Sequence, residues 1–187
     1  MTISSQRLSR QDWILAGYRA LVSGGAPALR VEPVAKAIGA TKGSFYWHFS
    51  GPGDWHDAML SYWMQAALTD VIDGLQGLPA GRPRLDALFE IASAMGRGAE
   101  HGGTFAEPAL RAWAGSEAKV ATAVAHVDAA RLAFLAQNLA ACDLTKDAAE
   151  QGARLLYACH IGQQAMGQGS VNDTKDLAAL LVRLVGA

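Results

Sequence analysis

Val31-Glu32-Pro33-Val34-Ala35-Lys36-Ala37-Ile38-Gly39-Ala40-Thr41-Lys42-Gly43-Ser44-Phe45-Tyr46-Trp47-His48-Phe49 is the stretch on which the reading of the chain turns. It predicts two short helices that meet across a tight turn. The first opens near Glu32-Pro33, because a proline in the first helical turn gives up an N–H that has no partner there anyway. Val34, Ala35 and Ile38 form its inner face. Gly39 follows its last residue, where a left-handed backbone is cheapest for glycine. Thr41 then caps a helix expected to run through Phe49, with Phe45 turned inward and Ala35 small enough for the two helices to cross closely. Two helices joined by a three- to four-residue turn with glycine make a helix-turn-helix.

The outward positions of the second helix are Thr41, Lys42, Ser44, Tyr46 and His48, with Gly43 leaving room for close approach of the backbone. Such a set suits DNA. The start of a recognition helix reaches base edges while neighbouring polar groups bond phosphates. Lys42 can neutralise a phosphate or reach a guanine edge. Trp47 joins the candidates, with a place in the core as its other reading. The same helix–glycine–helix pattern also occurs in ordinary helical bundles, so position and charge must add to it.

Charge does add to it. Residues 1–50 hold six basic side chains (Arg7, Arg10, Arg19, Arg30, Lys36, Lys42) against Asp12 and Glu32. The remaining residues hold ten bases and fifteen acids, so a net charge of −1 hides a basic head on an acidic body. That layout offers one end to a polyanion.

Outside this stretch, apolar residues recur at helical spacing. Ser9 caps a first helix that carries Ile14, Tyr18, Leu21 and Val22 and ends at Gly24-Gly25. A long helix is expected from about Asp54 to Gly77, and a fifth from Gly81-Arg82-Pro83. Thr104 and Glu107 suggest a capping box for a sixth, Ser116 a cap for a seventh, and Thr145 a cap for an eighth through about Gln168. A ninth follows from Ser170, with Leu177, Leu180, Leu181, Leu184 and Val185 on one stripe. The expected fold is all-α, with about nine helices: a three-helix head, residues 1–53, and a larger helical body, residues 54–187.

Composition excludes several classes. With 51% apolar and 18% charged residues the chain can build a core and is not a disordered polymer. The most apolar tail stretch is broken by Arg183, so no membrane partner is expected. The start lacks the pattern of an export signal, which makes the cytoplasm the expected compartment. Cys142 and Cys159 give no disulfide framework and are expected as buried small apolar residues. His101, His126 and His160 lack metal-ligand spacing, and no Ser-His-Asp or Cys-His order or phosphate loop is present. No catalytic residue, metal or cofactor is expected.

The run Gly39-Ala40-Thr41-Lys42-Gly43-Ser44-Phe45-Tyr46-Trp47-His48-Phe49 closely resembles the DNA-binding signature of the TetR family of transcriptional regulators, and the likeness extends over about residues 7–65. It implies that Thr41, Lys42, Gly43, Ser44, Tyr46 and His48 contact operator DNA, and that a homodimer reads a near-palindromic site. Family members commonly carry a lysine or arginine just after the aromatic run. Here Ser50-Gly51-Pro52-Gly53-Asp54 stands in its place, so one phosphate contact is expected to be missing.

Leu110-Arg111-Ala112-Trp113-Ala114 and Val124–Arg131, with Asp128, resemble more loosely the sensor half of one large TetR subgroup. That likeness implies dimerisation through the last two helices, to which the small residues Ala153, Ala158, Gly162, Ala165 and Gly167 are suited. Candidate residues for an effector pocket are Met59, Tyr62, Phe89, Met95, Phe105, Trp113, Phe134 and Tyr157, with Met166 beside them, and each also reads as plain core. Bulky aromatics and methionines suit an apolar or aromatic effector. The expected function is a ligand-responsive regulator, a repressor released by its effector. The alternatives are an all-helical carrier or enzyme that never touches DNA, and a constitutive DNA-binding protein with a filled body.

Overall fold

The computed structural model of the chain describes residues 8–94 and 106–166. All regular structure among them is helical: α1 Arg10–Gly24, α2 Val31–Ala37, α3 Lys42–Phe45, α4 Pro52–Met64, α5 Asp70–Gln76, α6 Arg82–Ala94, α7 Ala106–Ala114, α8 Ala118–Ala140 and α9 Lys146–Ala165. A five-residue π-helical turn, Gln65–Thr69, carries α4 into α5 without a break. The described residues thus form eight helical rods, in the order expected. The ninth expected helix lies outside the described residues.

Local chemistry accounts for most of the boundaries. At the start of α1, the Asp12 N–H donates to Ser9 Oγ and the Ser9 N–H to Asp12 Oδ2 at 2.7 Å, a reciprocal cap. Thr41 and Thr145 cap α3 and α9 through their hydroxyl oxygens. After α2, Gly39 takes φ +67°, and the Ala40 N–H bonds Ala35 O at 2.8 Å across it. That left-handed residue turns the chain sharply enough to start α3 three residues later.

Two boundaries differ from expectation. The recognition helix ends at Phe45 and continues only as turns through His48. Pro52 disfavours helical backbone at Gly51, which is extended (φ 174°), so the chain must leave the helix before it. Ser116 does not cap α8; its hydroxyl donates to Trp113 O at 3.1 Å and closes the end of α7 instead. Thr104 lies outside the described residues, and Glu107 gives its carboxylate to two arginines.

One core runs from the head into the body: Trp13, Leu21, Phe45, Trp55, Met59, Leu110 and Val127 belong to it. α1 and α4 approach closely at Gly17, where an added Cβ would stand 2.8 Å from Trp55 Cζ2. A second core joins α6, α8 and α9 through Leu85, Leu135, Leu139, Ala153, Leu156 and Tyr157. Ala153 therefore faces the core, while Ala158 and Ala165 are exposed. Cys142 and Cys159 are free and half-buried rather than buried. No helix of the described residues is long and apolar enough to cross a membrane.

Candidate nucleic-acid interface

Phe45 fixes the segment expected to contact DNA. It is fully buried and packs edge-on against Trp13 of α1 (centroids 5.2 Å) and Trp55 of α4 (5.6 Å), with Phe49 beside it at 5.1 Å. Because α3 is only one turn long, burying Phe45 turns most of the other residues of 41–47 outward. Thr41, Lys42, Gly43, Tyr46 and Trp47 are exposed, and Ser44 and His48 are half-buried. Trp47 is 78% exposed and Tyr46 51%, so the core reading of Trp47 is excluded. All seven candidates lie on one short segment, five of them exposed.

Three of them have local partners. Ser44 Oγ donates to Thr41 O at 2.8 Å, and Thr41 Oγ1 accepts from the Ser44 N–H. Lys42 Nζ forms an ion pair with Glu32 Oε1 of α2 at 2.7 Å. This hydrogen bond and charge hold Lys42 above the ordinary lysine value and Glu32 below the ordinary carboxylate value.

Arg10 was not singled out in the sequence, yet it holds the far end of the segment. Its guanidinium lies 4.7 Å over the Phe49 ring, its Nε donates to His48 O at 3.4 Å, and its Nη2 pairs with Asp54 Oδ1 at 3.2 Å. Asp54 Oδ2 accepts from the Ser50 N–H at 2.9 Å. An acid thus stands where the resemblance places a base, and it spends its charge on Arg10 and on the start of α4. Nothing in the sequence marks this pairing, because its partners lie 44 residues apart.

The candidate effector residues do not gather round one point. Met59 and Trp113 are buried in the first core, and Tyr62 packs beside Tyr18 there. Phe89 and Tyr157 belong to the second core, and Phe134 is half-buried on α8. Met95 and Phe105 lie outside the described residues, and Met166 is exposed. Among the described residues no group of side chains could hold a metal ion.

Around Tyr157 there is instead a network of ions. Arg111 bonds Asp128 two-pronged (3.0 and 2.7 Å) and Glu107 Oε1 at 2.7 Å. Arg131 Nη1 donates to both Glu107 oxygens, at 2.8 and 3.0 Å. Tyr157 donates to Asp128 Oδ1 at 2.7 Å and accepts from both arginines. Burial alone would raise the Glu107 carboxyl, but Arg131 and Arg111 reverse this and hold it below its ordinary value. Burial pushes the Tyr157 hydroxyl up to about 12.

No family model and no curated protein matches the chain. Solved structures do match it along nearly its full length. A TetR-family transcriptional regulator from Rhodococcus sp. superposes with a TM-score of 0.75 at 21% identity, over 95% of this chain and 98% of its own. A transcriptional regulator from Saccharomonospora viridis in complex with choline gives 0.77 at 16% identity, over 93% and 95%. Reduced NemR of E. coli gives 0.69 at 18% identity, over 95% and 94%. The fold of this chain is that of TetR-type regulators.

Proposed function

We propose that this chain, built on the TetR-type fold, is a transcriptional regulator that grips double-stranded operator DNA through residues 41–48 and answers to a small-molecule effector held in its body. The observation that carries this reading is the outward presentation of Lys42, Tyr46 and Trp47 on a segment whose Phe45 is locked into the core. Exposing two large aromatic rings and a lysine together is costly for a surface with no partner, and a nucleic-acid face uses all three. The head is residues 1–53 and the body residues 54–187.

The working unit is a homodimer in the cytoplasm. Its two recognition segments lie roughly 34–36 Å apart and enter successive major grooves of a near-palindromic site. On α9, Leu155, Ala158, Ala165 and Met166 form an exposed face of apolar and small side chains. With the last expected helix, that face supplies the dimer contact. The choline held by the Saccharomonospora viridis regulator supports a small-molecule effector for a body of this shape. Repression is lifted when the effector favours a conformation with the recognition segments wrongly spaced, and by linkage DNA then disfavours the effector by the same factor.

The test is binding of the purified protein to tiled DNA fragments from around its own coding region at several salt concentrations. We expect tight binding to one near-palindromic fragment, with log K falling linearly in log salt. Lys42→Ala is expected to weaken binding to all sequences and flatten the salt slope by about 1. Tyr46→Ala is expected to weaken it too. Glu32→Gln should do the reverse and tighten non-specific binding, because Lys42 must leave Glu32 to reach a phosphate. An absence of binding even to random DNA at low salt would overturn the regulator reading in favour of a carrier or enzyme.

A further inference from the structure

The ion network of the body is electrically balanced, with two arginines against two carboxylates, but its bonding capacity is not. Every carboxylate oxygen is taken. Glu107 Oε1 accepts from Arg111 and Arg131, and Oε2 from Arg131. Asp128 Oδ1 accepts from Arg111 and Tyr157, and Oδ2 from Arg111. Glu107 Oε2 and Asp128 Oδ2 each accept a single bond, so the acceptors are used but not exhausted.

The donors are not all spent. Arg131 commits only Nη1. Its Nε and Nη2, the edge that matches a carboxylate with two parallel bonds, meet no partner among the described residues. Arg111 Nε is buried with no partner. On α9, Tyr157, His160 and Gln164 share one face at i, i+3 and i+7. His160 feels the charges of Glu107, Arg131 and Arg111, and burial holds it below the ordinary imidazole value. Gln164 Nε2 and His160 Nε2 stand 3.0 Å apart, so the two side chains share one hydrogen bond. Gln164 Oε1 is a buried acceptor with nothing to accept from. Buried polar groups are rarely left so, because their lost hydration is not replaced. Apolar surface flanks the network, where Phe89, Leu132 and Ile161 pack against the core that holds Tyr157.

We propose that this network is the effector site of the regulator described above, a step that rests on that reading. Its ligand is a small carboxylate with an apolar or aromatic body and one hydrogen-bond donor. The carboxylate takes the free edge of Arg131, the donor answers Gln164 Oε1, and the body lies on the apolar flank. The unused edge of Arg131 favours an anion, and its two parallel N–H groups match a planar carboxylate better than a spherical anion.

Thermal unfolding and calorimetry of the full-length protein test this at constant ionic strength. The probes are acetate, benzoate, phenylacetate and mandelate, each against its primary amide, with chloride and tetramethylammonium as ionic controls. A ring-bearing carboxylate should raise the melting temperature while its amide and both ionic controls do not. Arg131→Lys keeps the charge toward Glu107 and loses the edge, so affinity should fall at least about tenfold, or 1.4 kcal/mol. Gln164→Met leaves the ions in place and should weaken mandelate, which carries a hydroxyl, more than phenylacetate. This second variant decides the matter should Arg131→Lys fold poorly. Silence from every carboxylate, amides that stabilise equally, or full affinity in both variants would overturn the proposal and leave water as the occupant. DNA binding by the ligand-free protein is scored on the same preparations. DNA binding with silent carboxylates sinks the effector site alone, and carboxylate binding without DNA binding sinks the regulator reading alone.

Discussion

Replacing Glu107 with alanine is expected to destabilise the folded chain by about 3–5 kcal/mol, the cost of breaking a buried ion network from one side. Glu107 is 8% exposed and holds both Arg111 and Arg131. Without it Arg111 keeps Asp128, the half-buried Arg131 keeps only Tyr157, and α7 loses its ion pair with α8. Urea unfolding at unchanged slope gives the measurement. A midpoint equal to that of the native chain would mean that the two arginines find water and need no partner. The same group sets an acid limit. Arginine pairing lowers its folded value despite burial, so its stabilisation is fully present above the ordinary carboxylate value. It is lost as pH falls through the lower folded value. Asp128, lowered by Arg111 and Tyr157 against its own burial, acts in the same direction. Stability should therefore fall more steeply in acid for the native chain than for Glu107→Gln.

Trp55→Ala is expected to cost a further large sum, about 3–5 kcal/mol. The indole is fully buried, its Nε1 donates to Trp13 O at 3.0 Å, and its ring meets Phe45 edge-on. Its removal frees the ring that positions the recognition segment, so DNA binding should disappear with stability. Because one core runs from Trp13 through Trp55 to Val127, we expect a single unfolding transition that shifts as a whole. A melt with two phases, only the first of them shifted, would show a head that folds by itself. Trp55→Phe, which keeps most of the ring and drops the hydrogen bond, should cost about 1 kcal/mol beyond its lost volume.

Much of this fold was legible because its signals are local. Ser9, Thr41 and Thr145 stand three residues from the N–H groups they cap, and Gly39 sits at the step between α2 and α3 that takes a positive φ. The inward turn of Phe45 follows from spacing alone. What stayed hidden depends on residues far apart in the chain. Glu107 and Arg111 are one helical turn apart, but Asp128 and Tyr157 reach Arg111 across 17 and 46 residues, and periodicity does not encode such meetings. For the same reason aromatic and methionine residues that all read as pocket lining divide between two cores once the helices pack. Trp47 was ambiguous because one turn of helix is too short for a stripe to declare its side.

Trp47 also gives the molecule an optical handle. Of its five tryptophans, Trp13, Trp55, Trp63 and Trp113 are buried, and Trp47 is the one in open contact with solvent. The emission of the free protein should separate into a blue component that acrylamide barely touches and a red one that it quenches freely. If the recognition segment enters a groove, the red component alone should become shielded, so the unlabelled protein reports its own docking by light. Trp47→Phe should remove that component and leave the other four as a fixed reference.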